Sequence, residues 1–154
     1  MKIKLLTASA ILLLVASCAS PKTGSEVNVH KVDGQKNVAI KGYDPVAYFT
    51  KKAPVKGEAK YSHKYQGANW HFSSRINKDK FAKNPKKYAP KYGGYCAYGV
   101  SVPQKKIDIE PEAWTIHKGK LYLNYTPRTK KIWLSNKEEH IVDANENWPE
   151  VKKQ

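Results

Sequence analysis

Two stretches of alternating side chains constrain this chain more than anything else in it. In YSHKYQGANWHFSS, residues 61–74, Tyr61, His63 and Tyr65 fall on one face of a strand, and Trp70 and Phe72 on one face of the next. Successive strand residues point to opposite faces, so spacing alone sets this parity. Whether the turn is Gln66-Gly67 or reaches Asn69, both sets lie on the same side of one hairpin. In AWTIHKGKLYLNY, residues 113–125, a turn at Lys118-Gly119 pairs Trp114 and Ile116 with Leu121 and Leu123. A hairpin with one aromatic face is marginal in water until something covers that face.

The segments between and after the hairpins supply the cover. In GYDPVAYF, residues 42–49, Asp44 can cap and Pro45 suits a first helical position, which turns Val46, Tyr48 and Phe49 inward. Ser73 or Ser74 can cap RINKDKFAKN, whose Ile76 and Phe81 are expected inside, and Pro85 ends that helix. Pro85 to Tyr88 suits a further turn. Thr126 caps a helix begun by Pro127 and carrying Ile132 and Trp133, and Ser135 can start another with Ile141, Val142, Ala144 and Trp148 at helical intervals. The predicted fold class is α+β: a small single domain in which two antiparallel β-hairpins pack against short α-helices.

The N-terminus bears on compartment. Lys2 and Lys4 precede an apolar run from Leu5 to Ala16, too short for a spanning helix, and small residues lead up to Cys18. This resembles a bacterial lipoprotein signal. It divides the chain into a signal peptide at 1–17, a lipidated N-terminus at Cys18 with a flexible tether at 18–36, and a folded domain at 37–150. The expected location is the bacterial cell envelope, lipid-anchored and facing the periplasm; Ala19 after the lipidated residue points to the outer membrane. The 154 residues carry 28 Lys and Arg against 13 Asp and Glu, a net charge of +15. Export makes nucleic acid an unsuitable partner for that charge. Anionic envelope components, or another envelope protein, are the available ones.

The combination of GYDPVAYF, YSHKYQGANWHFSS and NKDKFAKNPKKYAPKYGGYC resembles the YHS domain family, and more closely the exported single-domain YHS proteins of bacteria. The resemblance runs from about Asn37 to Trp148, with its short core at Tyr43 to Tyr88. It implies a metal-binding module, copper first. Family members with a thiolate site carry cysteines after the Asp-Pro and after the aromatic strand. Those positions here read Ala47, Ser73 and Asn77.

Other residues could hold a ligand. Cys96 is the one thiol beyond Cys18, set among Gly93, Gly94 and Gly99. It can act as buried filler, as a metal ligand or as a nucleophile. Thiolate and imidazole suit copper or zinc. Of the histidines in the hairpins, parity turns His63 inward, places His71 on the opposite face near Ser62, and aims His117 toward solvent. Cys96 with His63 is therefore the candidate metal pair. Asp44, Tyr61, Trp70, Tyr95 and His117 are further pocket candidates, although Asp44 is most simply a cap. Asp108, Glu110 and Glu112 read as a solvated loop that Pro111 keeps out of a strand. No G-x-S-x-G, phosphate loop or dinucleotide fingerprint is present. The expected function is a non-enzymatic binding module for a metal ion or small ligand; the alternative is a structural or protein-interaction component with a basic surface and an inert buried cysteine.

Overall fold

Asp33-Gly34 is a strong hairpin turn, with both residues at positive φ (46° and 80°). It joins β1 (Val29–Val32) to β2 (Gln35–Ala39). The computed structural model describes residues 25–154, so the expected signal peptide at 1–17 and the expected lipidation at Cys18 lie outside the described residues. The tether expected over 18–36 is shorter than its composition suggested. Val27 is fully buried and β1 lies within that range, because a valine at every second position (27, 29) gives even this polar segment an apolar side to bury.

The first predicted hairpin forms from β3 (Glu58–Tyr65) and β4 (Ala68–Phe72), with Gln66-Gly67 as the turn and His63 opposite Trp70. β2 adds in parallel to β4, giving a four-stranded sheet ordered β1-β2-β4-β3. The second hairpin pairs β5 (Glu110–His117) with β6 (Lys120–Asn124) in the expected register, Trp114 against Leu123 and Ile116 against Leu121. Pro111 is part of β5 rather than a break before it; its buried carbonyl accepts the Tyr48 hydroxyl at 3.1 Å.

Six helices complete the α+β fold among the described residues. α1 (Ala47–Thr50) buries Ala47 and Tyr48. α2 (Arg75–Lys83) is capped by Ser74, whose hydroxyl accepts the Asn77 amide. α3 (Pro85–Tyr88) follows directly, with Asn84 as its cap. α4 (Ala97–Ser101) begins after Cys96. α5 (Pro127–Ser135), capped by Thr126, and α6 (Lys137–Val151) close the chain.

Packing is organised around β6, whose Leu121, Tyr122, Leu123 and Asn124 are all buried. Leu121 and Leu123 join the main core with Trp70, Phe72, Tyr48 and Phe81. Tyr122 turns to a second core with Tyr92, Val100, Trp133 and Ala144, closed by α4, α5 and α6. A strand buried on both faces reads as a continuous apolar run rather than an alternation, which is how KLYLNY reads. Phe81 is the hub of the first core, its ring 5.1–6.0 Å from those of Phe72, Trp70, Tyr65 and His63. Three residues expected inside are not. Ile76 is 67 % exposed, and Ile132 and Val142 also face solvent. The α2 position beside the core is taken by Asn77, which is buried because a carboxylate there needs its amide.

Phe81→Ala should therefore lower unfolding stability by about 3–5 kcal/mol. Ile76→Ala should stay within about 0.5 kcal/mol. Urea unfolding followed by tryptophan fluorescence separates the two.

Candidate functional site

The Asp44 side chain is fully buried, and no Lys, Arg or His forms an ion pair with it among the described residues. Hydrogen-bond donors take the place of a counter-charge. The amides of Val46 and Ala47 donate to Oδ1 at 2.8 and 3.2 Å. The Ser73 amide, the Ser73 hydroxyl and the Asn77 side-chain amide donate to Oδ2 at 2.8, 2.7 and 2.7 Å. Asp44 thus caps the first turn, as expected, and also ties α1 to the end of β4 and the start of α2. Ala47, Ser73 and Asn77 are the three positions at which the family resemblance implies cysteine, and they converge on this one carboxylate. They do not fit a soft cation. Ala47 has no side-chain donor atom, and the Ser73 and Asn77 side chains are committed to Asp44.

Cys96 lies in the same apolar core as Trp70 and Phe81 and is 1 % exposed. Its amide donates to the Ile107 carbonyl at 2.9 Å, and it bridges to Leu123 of β6, so backbone pairing fixes where the sulfur goes. The Sγ accepts the amides of Gly99 at 3.3 Å and Tyr125 at 3.2 Å, and its own proton faces Asn124 Oδ1 at 3.6 Å. Every hydrogen-bonding capacity of a neutral thiol is met. Burial pushes the thiol pKa up, and the backbone amides of Gly99, Tyr125 and Tyr98 only partly offset that. His63 is not among the groups within hydrogen-bond reach of the sulfur; its ring meets Phe81 edge-on at 6.0 Å. Among the described residues, no three His, Cys, Asp or Glu side chains are grouped so as to hold a metal ion.

The remaining candidates disperse. Trp70 is buried, and its indole N–H donates to the Tyr65 carbonyl at 3.1 Å. Tyr61 packs against the rim of the core beneath Lys60. The Tyr95 hydroxyl donates to the Ser25 carbonyl at 3.0 Å, and its ring lies against Trp148. His71 does lie opposite Ser62, but on a covered face: it is buried, its ring 3.2 Å from Gln35 Oε1, and burial lowers its pKa. His117 is not turned to solvent. It is 17 % exposed, with Nε2 at 2.9 Å from Glu138 Oε1 at ion-pair distance without hydrogen-bond alignment, because α6 returns over the hairpin turn. Asp108 is not a free loop carboxylate either. Burial works to raise its pKa, but Lys41, Asn28, the Ile109 amide and His30 outweigh it and hold the group below the usual range.

A cleft of about 300 Å³ opens elsewhere, where Glu26, the β3–β4 turn, the segment Lys86–Gly93, the Lys120 end of β6 and Trp148 of α6 meet. Sequence reasoning missed it because its walls come from five separated parts of the chain. A local signal was present in KYGG, since Tyr92, Gly93 and Gly94 have successive positive φ values of 55°, 61° and 83°. At Gly93 any Cβ would run into the Glu26 carbonyl, so glycine is required there. Tyr92 adopts the same left-handed backbone with a bulky side chain, an uncommon state held here by packing of its ring and by its hydroxyl, which donates to Asn145 Oδ1 at 3.1 Å.

Residues 46–92 match the family model of the YHS domain. The match covers about a third of the chain, from α1 to the left-handed Tyr92, and the YHS family is associated with metal binding, copper foremost. No curated protein matches the chain, and no solved structure does.

Asp44→Asn should destabilise the fold by about 3 kcal/mol, because it turns an NH2 group toward fixed amide donors and leaves them unpaired in the interior. Ser73→Ala removes one donor and should cost about 1 kcal/mol. Denaturant midpoints of the two variants give the comparison.

Proposed function

We propose that this chain is a non-enzymatic binding module of the bacterial cell envelope, held to the membrane through lipid on Cys18, and that it works by holding a small ligand in a surface cleft. The observation that carries the reading is the state of Cys96. A nucleophilic cysteine needs thiolate character, access and a neighbouring base. Cys96 is enclosed, its pKa is raised, and its sulfur is satisfied by amides and an asparagine. Its role is that of a hydrogen-bonded core residue that starts α4 and joins it to β6. The excess of basic groups on the surface then supplies the attraction for an envelope partner.

Alkylation of the native protein with iodoacetamide should leave Cys96 unmodified until denaturant unfolds the domain. Rapid modification of the folded protein at neutral pH would overturn the reading.

A second reading, favoured by the YHS match across His63, is reversible copper binding by Cys96 with His63, zinc being the other suitable ion. It requires the core to open enough for the sulfur to exchange its amide donors for metal. Copper(I) titration against a competing chelator tests it. Tight binding that disappears in Cys96→Ser, with the fold retained, would establish this reading over the first. Equal weak uptake by both proteins would remove it.

A further inference from the structure

Charge in the Trp148 cleft is unbalanced. Lys86, Lys91 and Lys120 line it, and none of the three forms an ion pair among the described residues. The single acid on its wall, Glu26, lies 3.5 Å from Lys152. Lys91 is half-buried, and its pKa is lowered first by burial and then by repulsion from Lys120. Lys91 also lies over the Tyr92 ring, 5.4 Å from its centroid, but cations gathered without an anionic partner still favour whatever anion neutralises them.

The remaining lining narrows the class of anion. Trp148 and Tyr65 give the lining flat aromatic surfaces, and the Gln66 amide and Glu26 carboxylate can pair with hydroxyl groups. A volume of about 300 Å³ is at the small end for ligand sites and suits one ring with one anionic substituent. The walls are also rigid. The strained Tyr92–Gly94 backbone, the Tyr92 hydroxyl on α6 and the edge-on contact of Tyr92 with Trp148 at 5.9 Å tie one side to the other.

We propose that this cleft binds a phosphorylated sugar, with the phosphate among Lys86, Lys91 and Lys120 and the ring against Trp148. Lysine suits phosphate as a point charge. The proposal gives the binding module its ligand class and rests on that reading, but on neither Cys96 nor a metal. The sugar phosphate can be free or can be the headgroup of an envelope glycolipid.

The test is calorimetric titration of the full chain with glucose 6-phosphate, glucose and inorganic phosphate. Glucose 6-phosphate should bind saturably and about tenfold or more tightly than either fragment. The variant Lys91→Gln/Lys120→Gln should lose about tenfold or more of that affinity, while Lys51→Gln/Lys131→Gln, which removes the same charge from exposed positions elsewhere, should not. If the double variant fails to fold, Lys120→Gln alone, at an exposed strand end, is read in its place. No saturable binding, inorganic phosphate binding as well as the sugar phosphate, or an equal loss in the control variant would each overturn the proposal. Vesicles carrying a phosphorylated glycolipid separate the sources. Lysine-dependent capture displaced by glucose 6-phosphate assigns the lipid-borne headgroup, and soluble binding without capture assigns the free sugar. Capture that matches phosphatidylglycerol vesicles and ignores the double variant overturns it. The alkylation result is independent of every arm, so failure of this ligand class and failure of the module reading are seen separately.

Discussion

Hydrogen bonds to one buried carboxylate, which has no counter-cation among the described residues, hold together the portion of this fold that matches the YHS family. Desolvating Asp44 is costly unless its oxygens are fully hydrogen-bonded, and the donors come from positions 29 and 33 residues away as well as from its own turn. Satisfying it therefore requires α1, the end of β4 and the start of α2 to be in place together. Once they are, Tyr48, Phe72 and Phe81 are brought into one core. Where the family resemblance implies soft metal ligands, this chain carries a methyl, a hydroxyl and an amide. Two of them hydrogen-bond through their side chains and the third through its backbone, and all serve the same acid. The cluster is an organising centre built from small polar groups.

The second constraint comes from Cys96 and β6. With Leu121 and Leu123 facing one core and Tyr122 the other, the short strand is shared by both halves of the packing, and the bridge from Cys96 fixes α4 beside it. A thiol suits this junction because it is compact, tolerates burial and still accepts amides at the head of a helix.

Much of the fold was legible because the residues that face the main core fall at every second position of the two main hairpins, and both hairpins turn at glycine. The register of β5 with β6 and the inward set of β3 follow from parity alone. The β1–β2 hairpin was hidden in a polar segment, although Asp33-Gly34 marked its turn. Helical periodicity misplaced Ile76 and Ile132 because in the short helices α2 and α5 one aromatic anchor, Phe81 or Trp133, decides which side faces in, and misplaced Val142 because Ala144 and Val151 set the buried side of α6. Asn77 looked like a surface residue because its partner is distant in sequence. The inward direction of His63 was readable, but the contacts made by the Cys96 sulfur were not, since they depend on how β6 approaches α4. The cleft was the least legible feature, because adjacency in space among Gln66, Lys91, Lys120 and Trp148 leaves no local pattern.

Val27 and Asn28 are clamped beside Gly93: the Asn28 amide donates to its carbonyl at 2.9 Å, and the Tyr95 hydroxyl reaches the Ser25 and Val27 carbonyls. The chain thus enters the domain at the wall of the cleft, where Glu26 sits. Under the proposed anchoring at Cys18, only the residues between it and Ser25 separate that entry point from the lipid, a maximum reach of about 25 Å. Such a leash would keep the lysine-lined opening close to the headgroup layer however the domain tumbles, so a lipid-borne ligand would be met at high local concentration and a soluble one would first have to diffuse to the bilayer surface.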